Sequence, residues 1–134
     1  MNDHPAAASP AGALAVAGKL LIGSLFWWSG ISGILLAFTD TVGFIASKHL
    51  PFPTLAAIAA GAVELLVPVA LFFRRTEAWA ALILTAYCLA TAALFHDYWA
   101  SAGGARFAQE TNFYKNLALA GALLVIAVRR QPGG

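Results

Sequence analysis

The chain has 134 residues, of which 60% are hydrophobic and only 10% charged, with a formal net charge of +2. A soluble domain carries about 25% charged residues, so a water-soluble fold and a basic nucleic-acid-binding face are both excluded. The single cysteine, Cys88, rules out an intrachain disulfide and a CxxC redox pair.

Residues 1–11 are rich in Ala and Pro and read as a mobile N-terminal segment. No basic region precedes Lys19, so this end is not expected to be a signal peptide. The first predicted span covers 12–38 and holds Lys19 and the aromatic step Phe26-Trp27-Trp28. Thr39 and Asp40 mark its polar exit, and Val42 to Leu50 is expected to form a short amphipathic interfacial helix. Leu50-Pro51-Phe52-Pro53 then favours an extended approach, because a residue before proline avoids the α region.

The second span, 54–73, starts at Thr54 as N-cap and stops at Arg74 and Arg75. Thr76 is the expected cap of the third span, 77–99, with Glu77 favourable in its first turn. Residues 100–111 read as a glycine-containing loop, and the fourth span covers 112–128. Residues 131–134 read as an unstructured tail. Apolar runs of roughly 17 to 25 residues are what a bilayer-crossing helix needs. The expected fold class is therefore all-α: an integral membrane four-helix bundle, one domain over 12–130. Small residues four apart (Ser29 and Gly33, Ala57 and Gly61, Ala118 and Ala122) offer close helix approaches.

Four spans place both termini on one side. Arg74, Arg75, Arg129 and Arg130 share that side, against Lys48 and Arg106 on the other, which predicts cytoplasmic termini. Tyr98, Trp99, Phe113 and Tyr114 would form an aromatic belt at the opposite face.

Ionisable groups within these spans are the candidate functional residues, since charge in a bilayer is costly and must be paired, hydrated or used. At about 1.5 Å per residue, Glu64 lies roughly 14 Å from the cytoplasmic end, Lys115 roughly 20 Å and Lys19 roughly 10 Å. His96 and Asp97 lie near the far interface. This ladder predicts that Glu64 meets Lys19 or Lys115, that Lys115 also reaches Asp97, and that Asn116 ties remaining lone pairs. Two readings stay open: an ion-pair lock that fixes helix order, or a cluster that handles protons or a polar ligand. Asp97 would set the tautomer and basicity of His96 for proton exchange. Catalytic candidates are Glu64, His96, Asp97 and Lys115; ligand-binding candidates are Lys19, Trp28, Glu64, Lys115 and Asn116. No metal site is expected, because His96 is the only histidine in a span and no HxxxH or HxxE spacing occurs. Ser29, in Trp28-Ser29-Gly30, is expected to bond a backbone carbonyl, and no GxSxG turn or phosphate-binding loop is present.

Five elements in order carry a resemblance. They are Phe26-Trp27-Trp28-Ser29-Gly30, Leu50-Pro51-Phe52-Pro53, Glu64, Phe95-His96-Asp97-Tyr98-Trp99 and Phe113-Tyr114-Lys115-Asn116-Leu117. From Gly18 to Val128 the chain resembles the DoxX family of small bacterial membrane proteins. Two departures stand out: the family often has an arginine at Lys19, and often a lysine where this chain has Gly33. The resemblance implies a four-helix inner-membrane protein. The family is named for a subunit associated with terminal oxidase and thiosulfate:quinone oxidoreductase activity, which implies a redox or quinone link.

The functional expectation is a redox-associated, quinone-linked membrane subunit. The chain has no haem, flavin or iron–sulfur ligand set of its own and no complete catalytic set. A redox enzyme or another membrane subunit would supply the electrons; the oligomeric state stays open. The alternative is a non-catalytic scaffold that recruits other membrane or periplasmic proteins. A transporter is disfavoured, because no internal repeat is visible for alternating access.

Overall fold

The computed structural model describes residues 9–129. The expectations for 1–8, for Arg130 and for the tail 131–134 lie outside the described residues. Every regular element among the described residues is helical, and four helices are long and apolar enough to cross a membrane. This is the all-α membrane bundle that the composition predicts.

Helix α1 spans Pro10–Ser29. Ser9 caps it, its hydroxyl accepting from the Gly12 amide at 3.2 Å, and Pro10 occupies the first turn, where its missing N–H costs nothing. The helix then widens into a π-helical turn over Gly30–Leu35 and breaks at Leu36 and Ala37. Helix α2, Phe38–Ser47, starts four residues earlier than Val42 and is pinned back by Thr41 Oγ1, which donates to the Gly33 carbonyl at 2.7 Å.

Helix α3 is Pro53–Ala70. Its N-cap is Phe52, with Thr54 inside the helix. Phe52 has φ 53°, so the approach is a left-handed turn and not the extended one expected from the two prolines. Helix α4 is Glu77–Phe95, with Thr76 at the N-cap position as expected. The Thr76 hydroxyl, however, donates backwards to the Ala70 carbonyl at 2.9 Å and so ties the α3–α4 turn. Tyr98–Ala100 is a short 3-10 turn.

Helix α5 is Gly103–Arg129, 27 residues long. The segment expected as a loop, 100–111, is therefore mostly helix. Gly103 has φ +58° and makes the turn, and Ala105, Arg106, Ala108, Gln109 and Glu110 are good helix formers that need no further start signal.

The helices sort into two groups. α3 packs against α1, the π turn and α2, while α4 and α5 pack along each other. A dry core joins the groups at the Lys19–Glu77 end, built on Phe26, Leu71, Leu84, Cys88 and Leu123. Cys88 is fully buried in it, as a small apolar packing residue would be. Of the small-residue pairs, Ala57 and Gly61 are buried, and a Cβ on Gly61 would sit 2.7 Å from Ile34 Cγ2 of the π turn. Ala118 and Ala122 instead face outward.

Candidate functional site

Glu64 lies on α3, buried, with 8% of its surface exposed. Two hydroxyls converge on it. Ser29 Oγ, the last residue of α1, donates to Oε1 at 2.8 Å, and Tyr87 of α4 donates to the same oxygen at 2.7 Å. The other oxygen, Oε2, makes no hydrogen bond among the described residues. Donors from two helices supply part of what hydration would otherwise give a buried carboxyl group.

The backbone is built around this contact. The π turn opens directly after Ser29, and such turns widen a helix so that a side chain is re-aimed. Gly30 lets the turn lie against α3: a Cβ there would come within 2.8 Å of Leu65 Cδ2 and 3.1 Å of Glu64 Cβ. Pro68, buried inside α3, has no N–H, so the Glu64 carbonyl lacks its helical donor four residues on.

Glu64 borders a cavity of about 670 Å³ between the two helix groups. This lies within the usual range for small-ligand sites, about 300–1,000 Å³. Most of its lining is apolar, from residues such as Leu25, Ile34, Ile45, Leu94 and Leu119. Polar groups climb one side from Glu64 toward the α2 end. Tyr87 and Thr91 stand four apart on α4, and Thr91 Oγ1 donates to Asn116 Oδ1 at 3.4 Å. Asn112, Lys115 and His96 follow. His96 Nδ1 lies 2.9 Å from Gln109 Oε1. Beyond them, Lys48 of the α2 end meets Asp97 Oδ1 at 2.6 Å, and Phe44 packs on Phe95 with ring centroids 5.6 Å apart.

The expected ionic ladder is rearranged. Lys19 does not reach Glu64: it pairs with Glu77 at 2.6 Å, both largely buried, at the opposite end of the bundle. Asp97 pairs with Lys48 and not with Lys115, and His96 takes Gln109 as its hydrogen-bonding partner instead of Asp97. Asn116 donates to the Asn112 carbonyl at 3.1 Å and does not bond Glu64. Ser29, expected on a backbone carbonyl, bonds the acid. Trp28 is 70% exposed and does not line the cavity. Glu64, His96, Lys115 and Asn116 do share the cavity wall. Among the described residues, no three His, Cys, Asp or Glu side chains come together in a metal-binding group.

Tyr87 bonds Glu64 and Gln109 meets His96, and neither is among the expected site residues. Their signal was periodic. Tyr87 and Thr91 stand one turn apart, and Gln109, Asn112 and Asn116 follow the three-and-four spacing of one helix face. The four residues expected in an aromatic belt come together: Tyr98 packs on Trp99, Phe113 and Tyr114 with centroids 5.2, 5.4 and 6.4 Å away.

The sequence model described as DoxX matches residues 14–97. The chain is also 38% identical over 99 residues to "Inner membrane protein YphA" of Escherichia coli (strain K12), an alignment covering 70% of this chain and 67% of that protein. No solved structure gives a significant match. The family match runs from α1 through α4, which supply most of the cavity lining apart from α5: this chain belongs to the DoxX family.

Proposed function

We propose that this protein is an inner-membrane, redox-associated subunit whose inter-helix cavity takes the head of a lipid-soluble quinone. The observation that carries the reading is the Glu64 carboxyl, held by Ser29 and Tyr87 from two other elements at the edge of a mostly apolar cavity. Such a lining suits a hydrocarbon-rich molecule, and a few convergent polar groups fix its orientation. The Lys115 ammonium offers a hydrogen bond to an oxygen on the head, Glu64 Oε2 accepts one from a hydroxyl of the reduced head, and His96 and Asn112 line the route toward the α2 end. A quinone, when bound, supplies two-electron chemistry; the chain's own residues bind it, orient it and exclude the dry-core side from water. A separate redox protein delivers or removes the electrons.

In the proposed orientation, residues 12–130 act as one unit and both termini are cytoplasmic. Arg74, Arg75 and Arg129 share one face, against Lys48 and Arg106 on the other. The cavity's polar side then opens toward the opposite face.

The test is extraction of quinone from the purified protein, with calorimetric titration of a short-chain ubiquinone. Glu64→Gln is expected to weaken binding by about tenfold, the scale of one hydrogen bond to a charged group. Absence of bound quinone and of titratable binding would defeat the reading. A constant protein partner, recovered equally well with Glu64→Gln, would favour the scaffold alternative.

A further inference from the structure

Three lysines occur in the described part of the chain, and two have acidic partners. Lys19 meets Glu77 and Lys48 meets Asp97, each at 2.6 Å. Lys115 is different. It lines the cavity, is exposed, and makes no ion pair or hydrogen bond among the described residues. The acids nearest in the ladder are committed elsewhere: Asp97 to Lys48, and Glu64 Oε1 to two hydroxyls. Glu110 is five residues earlier on α5, about 140° around the helix, and so on another face.

Lys115 lies in the first turn of the apolar part of α5, directly after Phe113 and Tyr114, and projects its ammonium at an otherwise largely apolar cavity. A cation beside such a lining is normally balanced by a counter-charge. Asn112 and Asn116 flank it on the same wall and add neutral donors and acceptors beside the ammonium.

We propose that the cavity's ligand is an amphiphile with an ionised acidic head, its negative oxygen set against Lys115 and its hydrocarbon body along the apolar lining. This deepens the quinone reading and rests on it: within that class it selects heads carrying an ionisable hydroxyl.

The experiment uses the full purified chain in detergent and four probes in two matched pairs. One pair is a 3-alkyl-2-hydroxy-1,4-naphthoquinone, anionic at pH 8, and its neutral 2-methoxy twin. The other is lauric acid and lauryl alcohol. In the wild type the acidic naphthoquinone should bind about tenfold tighter than its twin, the gain expected of one charge-assisted pair. Lys115→Met should erase that preference and Lys115→Arg should keep it. Lys115→Gln serves as a second neutral variant should Lys115→Met fail to fold, with helical circular dichroism as the check.

If lauric acid shows the same Lys115-dependent advantage while neither naphthoquinone binds, the acidic-head inference stands and the quinone reading falls. If the naphthoquinone twins bind alike, or the acid preference survives Lys115→Met, the inference is overturned while the quinone reading stands. In that case Lys115 is an interfacial anchor beside Phe113 and Tyr114. Binding of none of the four overturns both.

Discussion

Tyr87 reaches from α4 to Glu64 on α3 and donates its phenolic hydrogen to Oε1 at 2.7 Å, across the cleft that separates the two helix groups. The ring is held by a tilted contact with Phe26, centroids 6.3 Å apart, so the hydroxyl is aimed by packing on α1. Three helices thus meet at one carboxyl oxygen. Tyr87→Phe keeps the ring and removes the donor. It should cost about 1–3 kcal/mol, the range for a hydrogen bond to a charged or buried group. Ser29→Ala should cost more when added to Tyr87→Phe than it does alone, because the second loss leaves the shared oxygen with no donor. Thermal unfolding in detergent of the two single variants and the double reads this coupling; full additivity would show that the two hydroxyls act independently.

Gly61 is expected to tolerate no side chain. A Cβ there would meet Ile34 at Cγ2, Cγ1 and Cβ, at 2.7, 3.0 and 3.2 Å. The Cβ end of Ile34 cannot swing away, so Gly61→Ala should push the π turn off α3. Overpacking of this kind costs about 1–3 kcal/mol. Pairing it with Ile34→Ala should restore most of the loss. A single Gly61→Ala variant that melts at the wild-type temperature would contradict the close approach.

The Lys19–Glu77 pair is buried, with side chains 13% and 5% exposed. Removing one partner of a buried pair costs about 3–5 kcal/mol, whereas replacing both by apolar residues is often neutral. Lys19→Met should therefore destabilise the bundle strongly, and Lys19→Met with Glu77→Leu should recover most of it. Denaturation by SDS titration measures both. Equal losses in the single and double variants would mean that the pair is needed as such.

The Lys48–Asp97 pair is more open, 23% and 27% exposed, and its strength is discounted accordingly. Asp97→Asn should cost little, as for other solvent-exposed ion pairs. Raising the salt should narrow the difference between variant and wild type, since exposed charges are screened. Exchanging the two charges, Lys48→Asp with Asp97→Lys, should restore low-salt stability. An Asp97→Asn deficit that is large and indifferent to salt would show that Asp97 does more than hold Lys48.

The four membrane-length helices, the acid at mid-span and the aromatic cluster were legible in the sequence because each depends on local composition or depth. Partner choice was not. Depth along a helix says which groups share a level, but the rotation of each helix decides which of them meet. By depth along its helix Lys19 lies close in level to Glu64, yet the packing of α1 turns it to Glu77 in the first turn of α4. Tyr87 carried only a weak periodic signal, one turn from Thr91 on an apolar helix, and its hydroxyl matters only once α3 is opposite. The Gly103-Gly104 step looked like a loop, yet one left-handed residue sufficed to start a helix that the following residues sustain.

Unequal lengths have a consequence for the host bilayer. Helix α3 has 18 residues, about 27 Å, while α5 has 27, about 40 Å. The hydrocarbon slab is about 30 Å thick, so α3 falls a little short of it, whereas the extra length of α5 is its polar start before Asn112. Around α3 the lipid must pinch inward, and the start of α5 projects toward the headgroups. Hydrophobic mismatch is therefore built in at α3, and reconstitution in short-chain lipids should raise the melting temperature relative to long-chain ones.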